Sequence, residues 1–163
     1  MLFRSQPAPR LRGGAGLAAG EVKIGEDHDE FTHGRYRTAI VKFTLESATG
    51  ANLIRSYSAT EIRVGEQRVH GSCLLTASEL LTEWGPQTYA QFGITHLPAL
   101  LALSPELVIL GTGLQQQFAP REVRDALAAR GIGLEAMQLG AACRTFNVLV
   151  QEERRVAAAL FLG

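Results

Sequence analysis

The stretch that decides the fold begins with PELVILGTG at residues 105–113. The apolar run from Glu106 to Leu110 predicts a continuous apolar strand, and Gly111-Thr112-Gly113 predicts a sharp turn. Downstream, the pattern alternates between helix over 120–130, strand over 133–137, helix over 141–150 and strand over 155–161. This order of elements predicts right-handed crossovers and a parallel sheet.

The first half of the chain shows the two-residue alternation of half-buried strands, which is common in antiparallel sheets. Residues 39–46 alternate between apolar and polar side chains, which predicts a half-buried strand. Residues 60–76 predict a hairpin that turns at Gly65-Glu66 and sets Arg63 opposite Arg68. In this register the buried face carries four side chains, those of Ile62, Val69, Cys73 and Leu75. Glu61 neutralises the opposed arginines in one interpretation, and an acidic partner surface does so in the other.

Between the two halves, we expect an irregular segment over 77–94 around Trp84 and a short helix over 96–103. The fold class is therefore α/β. We expect a single compact domain over 39–163, with a mixed sheet, an antiparallel β-rich first half, a parallel βαβαβ second half and helices packed on the sheet. Residues 1–38 are predicted to be a disordered extension, because their composition offers little patterned apolar surface.

Composition excludes several classes of protein. The chain has 163 residues, enough for one domain, and its 16 basic and 16 acidic residues argue against a nucleic-acid partner. Its longest late apolar run, 156–162, is too short to cross a bilayer, so no transmembrane segment is predicted. Cys73 and Cys143 lack metal-ligand spacing, which leaves a reducing compartment as the expectation. We expect a bacterial cytoplasmic location, with a mitochondrial one as the alternative.

The Gly111-Thr112-Gly113 turn allows a nucleotide-binding interpretation, which the sequence weakens. Glu135 follows 22 positions later, as a ribose-binding acid would, but Gln116 stands where a third glycine belongs. A tight turn is the favoured interpretation, and no cofactor is predicted. Carboxylates and imidazoles over 26–33 allow a metal site, but a solvated linker is favoured and no metal is predicted.

The last helix carries a thiol, Cys143, for which the sequence places no base; a core role is therefore favoured over a nucleophilic one. Together with the glycine turn, this helix predicts a binding site for a carboxylate or phosphate at Thr112, Gly113, Arg144 and Asn147. In the alternative, Arg144 only ties the helix to the turn. No catalytic residue is predicted. The residues alone leave enzyme status undecided and favour a non-catalytic protein.

Three segments resemble one known family in the family's order. They are PELVILGTG at 105–113, GIGLEAM at 131–137 and AACRTFNVLVQEERRVAAAL at 141–160. Together with the hairpin and Trp84, they are similar to the small α/β family that includes mitochondrial NADH dehydrogenase (complex I) assembly factor 3. The resemblance covers roughly residues 39–162.

This resemblance implies a compact mixed sheet flanked by helices and a family without an established catalytic activity. It implies a non-catalytic binding or assembly-factor-type protein, whose protein partners include subunits of a membrane complex. The alternative is a protein or enzyme that binds a small anion in the pocket between the glycine turn and the CRTFN helix. The oligomeric state is not predicted.

Overall fold

The computed structural model describes residues 41–42 and 50–163. The predicted extension over 1–38 lies outside these residues. The strands are β1 (Val41–Lys42), β2 (Ile54–Tyr57), β3 (Ile62–Val64), β4 (Gln67–Val69), β5 (Cys73–Leu75), β6 (Leu80–Leu81), β7 (Leu107–Thr112), β8 (Gly133–Met137) and β9 (Val156–Phe161). The α-helices are α1 (Leu97–Ala102), α2 (Arg121–Ala128) and α3 (Leu139–Gln151). Two 3-10 turns, Tyr89–Gln91 and Ile94–His96, precede α1.

The second half forms the parallel part of a five-stranded sheet, as the sequence predicts. The strand order is β6-β5-β9-β7-β8, and β7 pairs in parallel with both β8 and β9. The two connections contain α2 and α3. β5 runs antiparallel to β9 and adds the hairpin with β6, so the sheet is mixed.

A second sheet of four antiparallel strands forms in the order β1-β2-β3-β4. The predicted register of the hairpin is confirmed, with Arg63 opposite Arg68 and Ile62 opposite Val69. Glutamates of the same chain form ion pairs with both arginines, so no partner surface is needed to neutralise them. Arg63 Nη2 lies 2.7 Å from Glu66 Oε2, and Arg68 Nη1 lies 3.6 Å from Glu61 Oε2.

The predicted span of this hairpin, residues 60–76, is too long. β4 ends at Val69, and after a break the chain enters the other sheet as β5, where Cys73 pairs with Leu160. Ile62, Val69, Cys73 and Leu75 still share one core cluster, because both sheets face it. Alternation of apolar residues fixes which face is buried and does not fix which sheet a strand joins.

The five-stranded sheet is buried on both faces, which explains the continuous apolar runs of β7 and β9. Ile109, Ala158 and Leu160 point to the core shared with α3 and the four-stranded sheet. Val108 and Ala159 point to the opposite core, which contains residues of α1 and α2. β7 therefore ends at Thr112 between two packed layers, and the residues that follow it emerge at the carboxyl ends of the parallel strands.

Candidate functional site

In the glycine turn, close packing and backbone conformation explain why glycine occupies positions 111 and 113. A Cβ on Gly111 would lie 2.9 Å from Leu160 Cδ2 and 3.1 Å from Ala142 Cβ, so glycine lets α3 pack closely on β7. Gly113 has a φ of +86°, a left-handed conformation that disfavours other residues. Its carbonyl oxygen accepts a hydrogen bond of 2.8 Å from the amide of Leu139, the first residue of α3. The turn is thus joined to the start of this helix.

Thr112 organises the segment that follows. Its side chain is buried, and Oγ1 donates to the Gln115 carbonyl at 2.7 Å, with the Met137 carbonyl at 3.3 Å. The same oxygen accepts a hydrogen bond of 3.0 Å from the amide of Gln117. Because one hydroxyl has one proton, these contacts use its donor within the protein. In this structure Thr112 therefore holds a loop.

The loop over residues 114–118, called here the 114–118 loop, is held by hydrogen bonds and exposes its apolar side chains. Gln116 Nε2 donates to the Ala136 carbonyl at 3.2 Å, and Tyr89 Oη donates to the Phe118 carbonyl at 2.9 Å. Nevertheless Phe118 is 91% exposed and Leu114 is 63% exposed. Phe118 and Leu114 are thus the two most exposed of the large apolar side chains that the structure describes.

Asn147, one of the four predicted ligand residues, lies inside the protein. Its side-chain amide donates to the Ile54 carbonyl, and its Oδ1 accepts from the Ile54 amide, both at 2.8 Å. The pairing between β2 and β3 shifts register between Ile54 and Ser56. Asn147 thus satisfies both backbone groups of Ile54 and fastens α3 to the four-stranded sheet.

Arg144 lies on the exposed side of α3, and its Nη1 donates to Tyr57 Oη at 3.2 Å. Tyr57 lies over the start of the helix, where a Cβ on Gly140 would overlap its ring. The four predicted residues therefore form two pairs. Thr112 and Gly113 contact the 114–118 loop and the start of α3, whereas Arg144 and Asn147 contact β2. Anion binding by these residues stays a prediction.

The two thiols are buried and free, which agrees with the predicted core role. Burial raises the pKa of Cys73 to about 12 and also raises the pKa of Cys143. Because the reactive form is the thiolate, neither side chain is suited to nucleophilic attack near neutral pH.

Neither Phe118 nor Tyr89 is predicted as a functional residue from the sequence. Phe118 follows three glutamines in the linker before α2, and a lone aromatic residue in a linker has no periodicity from which its exposure follows. In the described part of the chain, no group of three His, Cys, Asp or Glu side chains could hold a metal ion. Of the helices described, none has the length and hydropathy to cross a membrane.

Comparison with known proteins places this architecture in a family. A family model described as "Protein of unknown function (DUF498/DUF598)" matches residues 54–161. A relative from Danio rerio, named NADH dehydrogenase [ubiquinone] 1 alpha subcomplex assembly factor 3, is 31% identical over 140 residues. That match covers 85% of this chain and 78% of the relative.

Solved structures with the same fold come from bacteria. An NMR structure of a Xanthomonas campestris protein is 39% identical, with a TM-score of 0.64, and the match covers 74% of this chain and 93% of that one. A Bordetella pertussis protein described as an Mth938-like domain is 27% identical, with a TM-score of 0.63, over 74% of this chain and 92% of that one. These matches confirm the α/β fold class and the family resemblance.

Proposed function

The chain belongs to the DUF498/DUF598 family, and from that premise we propose that it is a non-catalytic, assembly-factor-type protein that binds other proteins. Relatives named as assembly factors of NADH dehydrogenase support this role. The partner that we propose is a protein subunit of a membrane complex, which this protein holds during assembly. The cytoplasmic location predicted for a bacterial protein is part of the same proposal.

The observation that carries the proposal is the exposure of Phe118 on a fixed loop. Here the Phe118 carbonyl is held by Tyr89 and the preceding amide, that of Gln117, is held by Thr112. These two hydrogen bonds restrain the loop before binding, which lowers the entropic cost of association.

Aromatic residues are also the usual anchors of protein interfaces. A phenylalanine that becomes covered buries roughly 150–250 Å² of surface, and a few such anchors carry most of the binding energy. Leu114, on the same loop, adds a second apolar side chain. We infer that the partner offers an apolar recess to these two residues.

The experiment compares three forms of the protein as bait in the native host, with membrane-complex subunits as the readout. Phe118→Ala should lower their recovery at least tenfold, while the melting temperature stays within about 2 °C, because the side chain makes few internal contacts. Val148→Ala is the matched control, since Val148 is also apolar and 51% exposed but lies on α3. It should leave recovery unchanged.

Equal recovery with wild-type protein and Phe118→Ala would show that the 114–118 loop is not the contact surface. Equal losses from Phe118→Ala and Val148→Ala would indicate a general effect of surface hydrophobicity. Substrate turnover by the purified protein, with no recovered subunits, would reject the assembly role itself.

A further inference from the structure

A cavity of about 730 Å³ opens at the end of the five-stranded sheet that lies opposite to the 114–118 loop. Val156, the first residue of β9, lines it, as does Pro105, which lies two positions before β7. The cavity therefore lies at the amino ends of the parallel strands, and we call it the rear cavity. Its volume is within the range of sites that enclose small molecules.

The inner wall of the rear cavity is apolar. Leu53, Val150 and Val156 line it, and all three are buried members of the core cluster behind it. Leu103 and Ala77 extend the same surface. This wall suits an aliphatic body, which gains free energy by leaving water.

The charged side chains around the mouth of the cavity differ in their ion pairing. Arg154 and Arg155 line the cavity, but both point Nε at Glu106, at 2.9 Å and 3.9 Å from its carboxylate oxygens. Glu79 and Glu153 also line it and are exposed. The two lining arginines are therefore ion-paired with Glu106, which does not itself line the cavity, whereas in the described part of the chain neither Glu79 nor Glu153 has an ion-pair partner. The carboxyl end of α3, which is the negative end of its dipole, also favours a cation here.

Two residues at this mouth have a left-handed backbone conformation, which favours glycine, although both carry side chains. Among the residues that the structure describes, the non-glycine residues with positive φ are Ser104, at +50°, and Glu153, at +59°. Each follows the end of a helix, where glycine is the usual residue in this conformation. Both line the rear cavity. The chain thus retains a hydroxyl and a carboxylate at the position where glycine would fit best.

We propose that the rear cavity is a binding site for a small amphipathic amine, a molecule with one ammonium group on an aliphatic body. The aliphatic body lies against Leu53, Val150 and Val156. The ammonium group lies at the mouth between the carboxylates of Glu79 and Glu153. This site is separate from the proposed protein-binding loop, which lies at the other end of the sheet.

The test uses three probes of equal chain length and different charge: hexylammonium, hexan-1-ol and hexanoate. Each is titrated into the full-length protein while backbone and methyl NMR resonances are followed. Hexylammonium should shift the resonances of Leu53, Ala77 and Val150 until they saturate. Hexan-1-ol should bind about threefold to tenfold more weakly, because it lacks the ion pairs. Hexanoate should produce no saturable shift.

Glu153→Gly separates binding from stability, because the two effects have opposite signs. Glycine removes the carboxylate, which should weaken hexylammonium binding about threefold to fivefold. It also relieves the left-handed backbone, so the melting temperature should rise. Ser104→Gly relieves the same conformation and should leave the preference for hexylammonium over hexanoate intact. Glu122→Gln, an exposed carboxylate change on α2, should leave affinity unchanged.

Hexanoate binding as tight as that of hexylammonium would overturn the proposal, as would shifts that never saturate. Unchanged affinity in Glu153→Gly would also overturn it. Phe118→Ala should bind hexylammonium normally, so loss of partner recovery and loss of amine binding report on separate proposals.

Discussion

At the carboxyl end of β7 the chain holds an apolar residue out into water, whereas at the amino end of the same strand it encloses an apolar wall. Phe118, on the 114–118 loop, is 91% exposed. The rear cavity is concave, and Val156 is 2% exposed in its wall. A projecting side chain fits a recess on another protein, and a recess fits a small molecule.

The two surfaces lie near opposite ends of α3. The amide of its first residue, Leu139, donates a hydrogen bond to the Gly113 carbonyl, so the start of the helix is joined to the turn that precedes the 114–118 loop. Glu153, two residues after the last residue of the helix, has a left-handed backbone conformation and lines the rear cavity. Both surfaces are therefore connected to the same helix. The predictions below test whether these surfaces behave independently.

The largest effect should come from Asn147, which fastens α3 to β2 between the two surfaces. Asn147→Leu leaves the amide and carbonyl of Ile54 buried without partners. Each such group costs about 1–3 kcal/mol, so the free energy of unfolding should fall by roughly 3 kcal/mol. Chemical denaturation measures this loss. Partner recovery and amine binding should both weaken.

Asn147→Asp provides the control for that experiment, since it keeps an acceptor for the Ile54 amide and loses the donor. Its loss of stability should reflect one broken hydrogen bond and the burial of a charge. If Asn147→Leu unfolds with wild-type stability, water or a shifted strand satisfies Ile54, and α3 is not fastened there.

A smaller and one-sided effect is expected at Thr112. Thr112→Val keeps the shape of the side chain and removes the hydroxyl that holds Gln115 and Gln117. Stability should fall by about 2 kcal/mol, and partner recovery should fall because the loop is released. Hexylammonium affinity should not change. Thr112→Ser keeps the hydroxyl and should recover the partner as well as wild-type protein does. An equal loss of partner recovery in both variants would show that the hydroxyl is not what holds the loop.

Much of the fold was predictable because local pattern and tertiary structure agree. β8 has the predicted bounds, Gly133–Met137, and α3 begins at Leu139, two residues before its predicted start. A period of 3.6 residues identifies a helix but leaves its ends open, because the first turn can use any residue that packs. The separation into two sheets was not predictable, since β4 and β5 share one buried face.

The candidate site was predictable in part for a similar reason. The sequence placed the glycine turn and the start of α3 at one edge of the sheet, and the hydrogen bond from Leu139 to Gly113 joins them. It could not assign the partners of Thr112 and Asn147, because a polar side chain binds a ligand or its own backbone with the same groups. Ile54, the partner of Asn147, is 93 positions away.

Alkaline pH should weaken the core that both surfaces share. Burial raises the pKa of Cys73 from 9.0 to about 12. Between these values the unfolded chain releases the thiol proton and the folded chain keeps it. The folded state then binds more protons, so stability falls as pH rises through this window, by at most about 1.4 kcal/mol per pH unit.

Denaturation at pH 8.5 to 10.5 measures this slope. Cys73→Ala should be less stable at every pH, because a buried sulfur is lost, but its stability should decline less steeply. Parallel declines in the two proteins would show that Cys73 is ionised as easily in the folded state as in the unfolded one.

The smallest effect on stability is expected at Arg144, which lies on α3 between the two surfaces. Its guanidinium is exposed and donates one hydrogen bond, to Tyr57, so Arg144→Ala should change stability by no more than about 0.5 kcal/mol. If Arg144 binds a carboxylate or phosphate as the sequence predicts, titration with inorganic phosphate should shift the amides of Arg144 and of Tyr57, which it contacts, in wild-type protein and not in Arg144→Ala. Arg144→Lys keeps the charge without the planar fork and should bind phosphate more weakly. A large loss of stability in Arg144→Ala, with phosphate shifts unchanged, would instead make Arg144 a clamp between α3 and Tyr57.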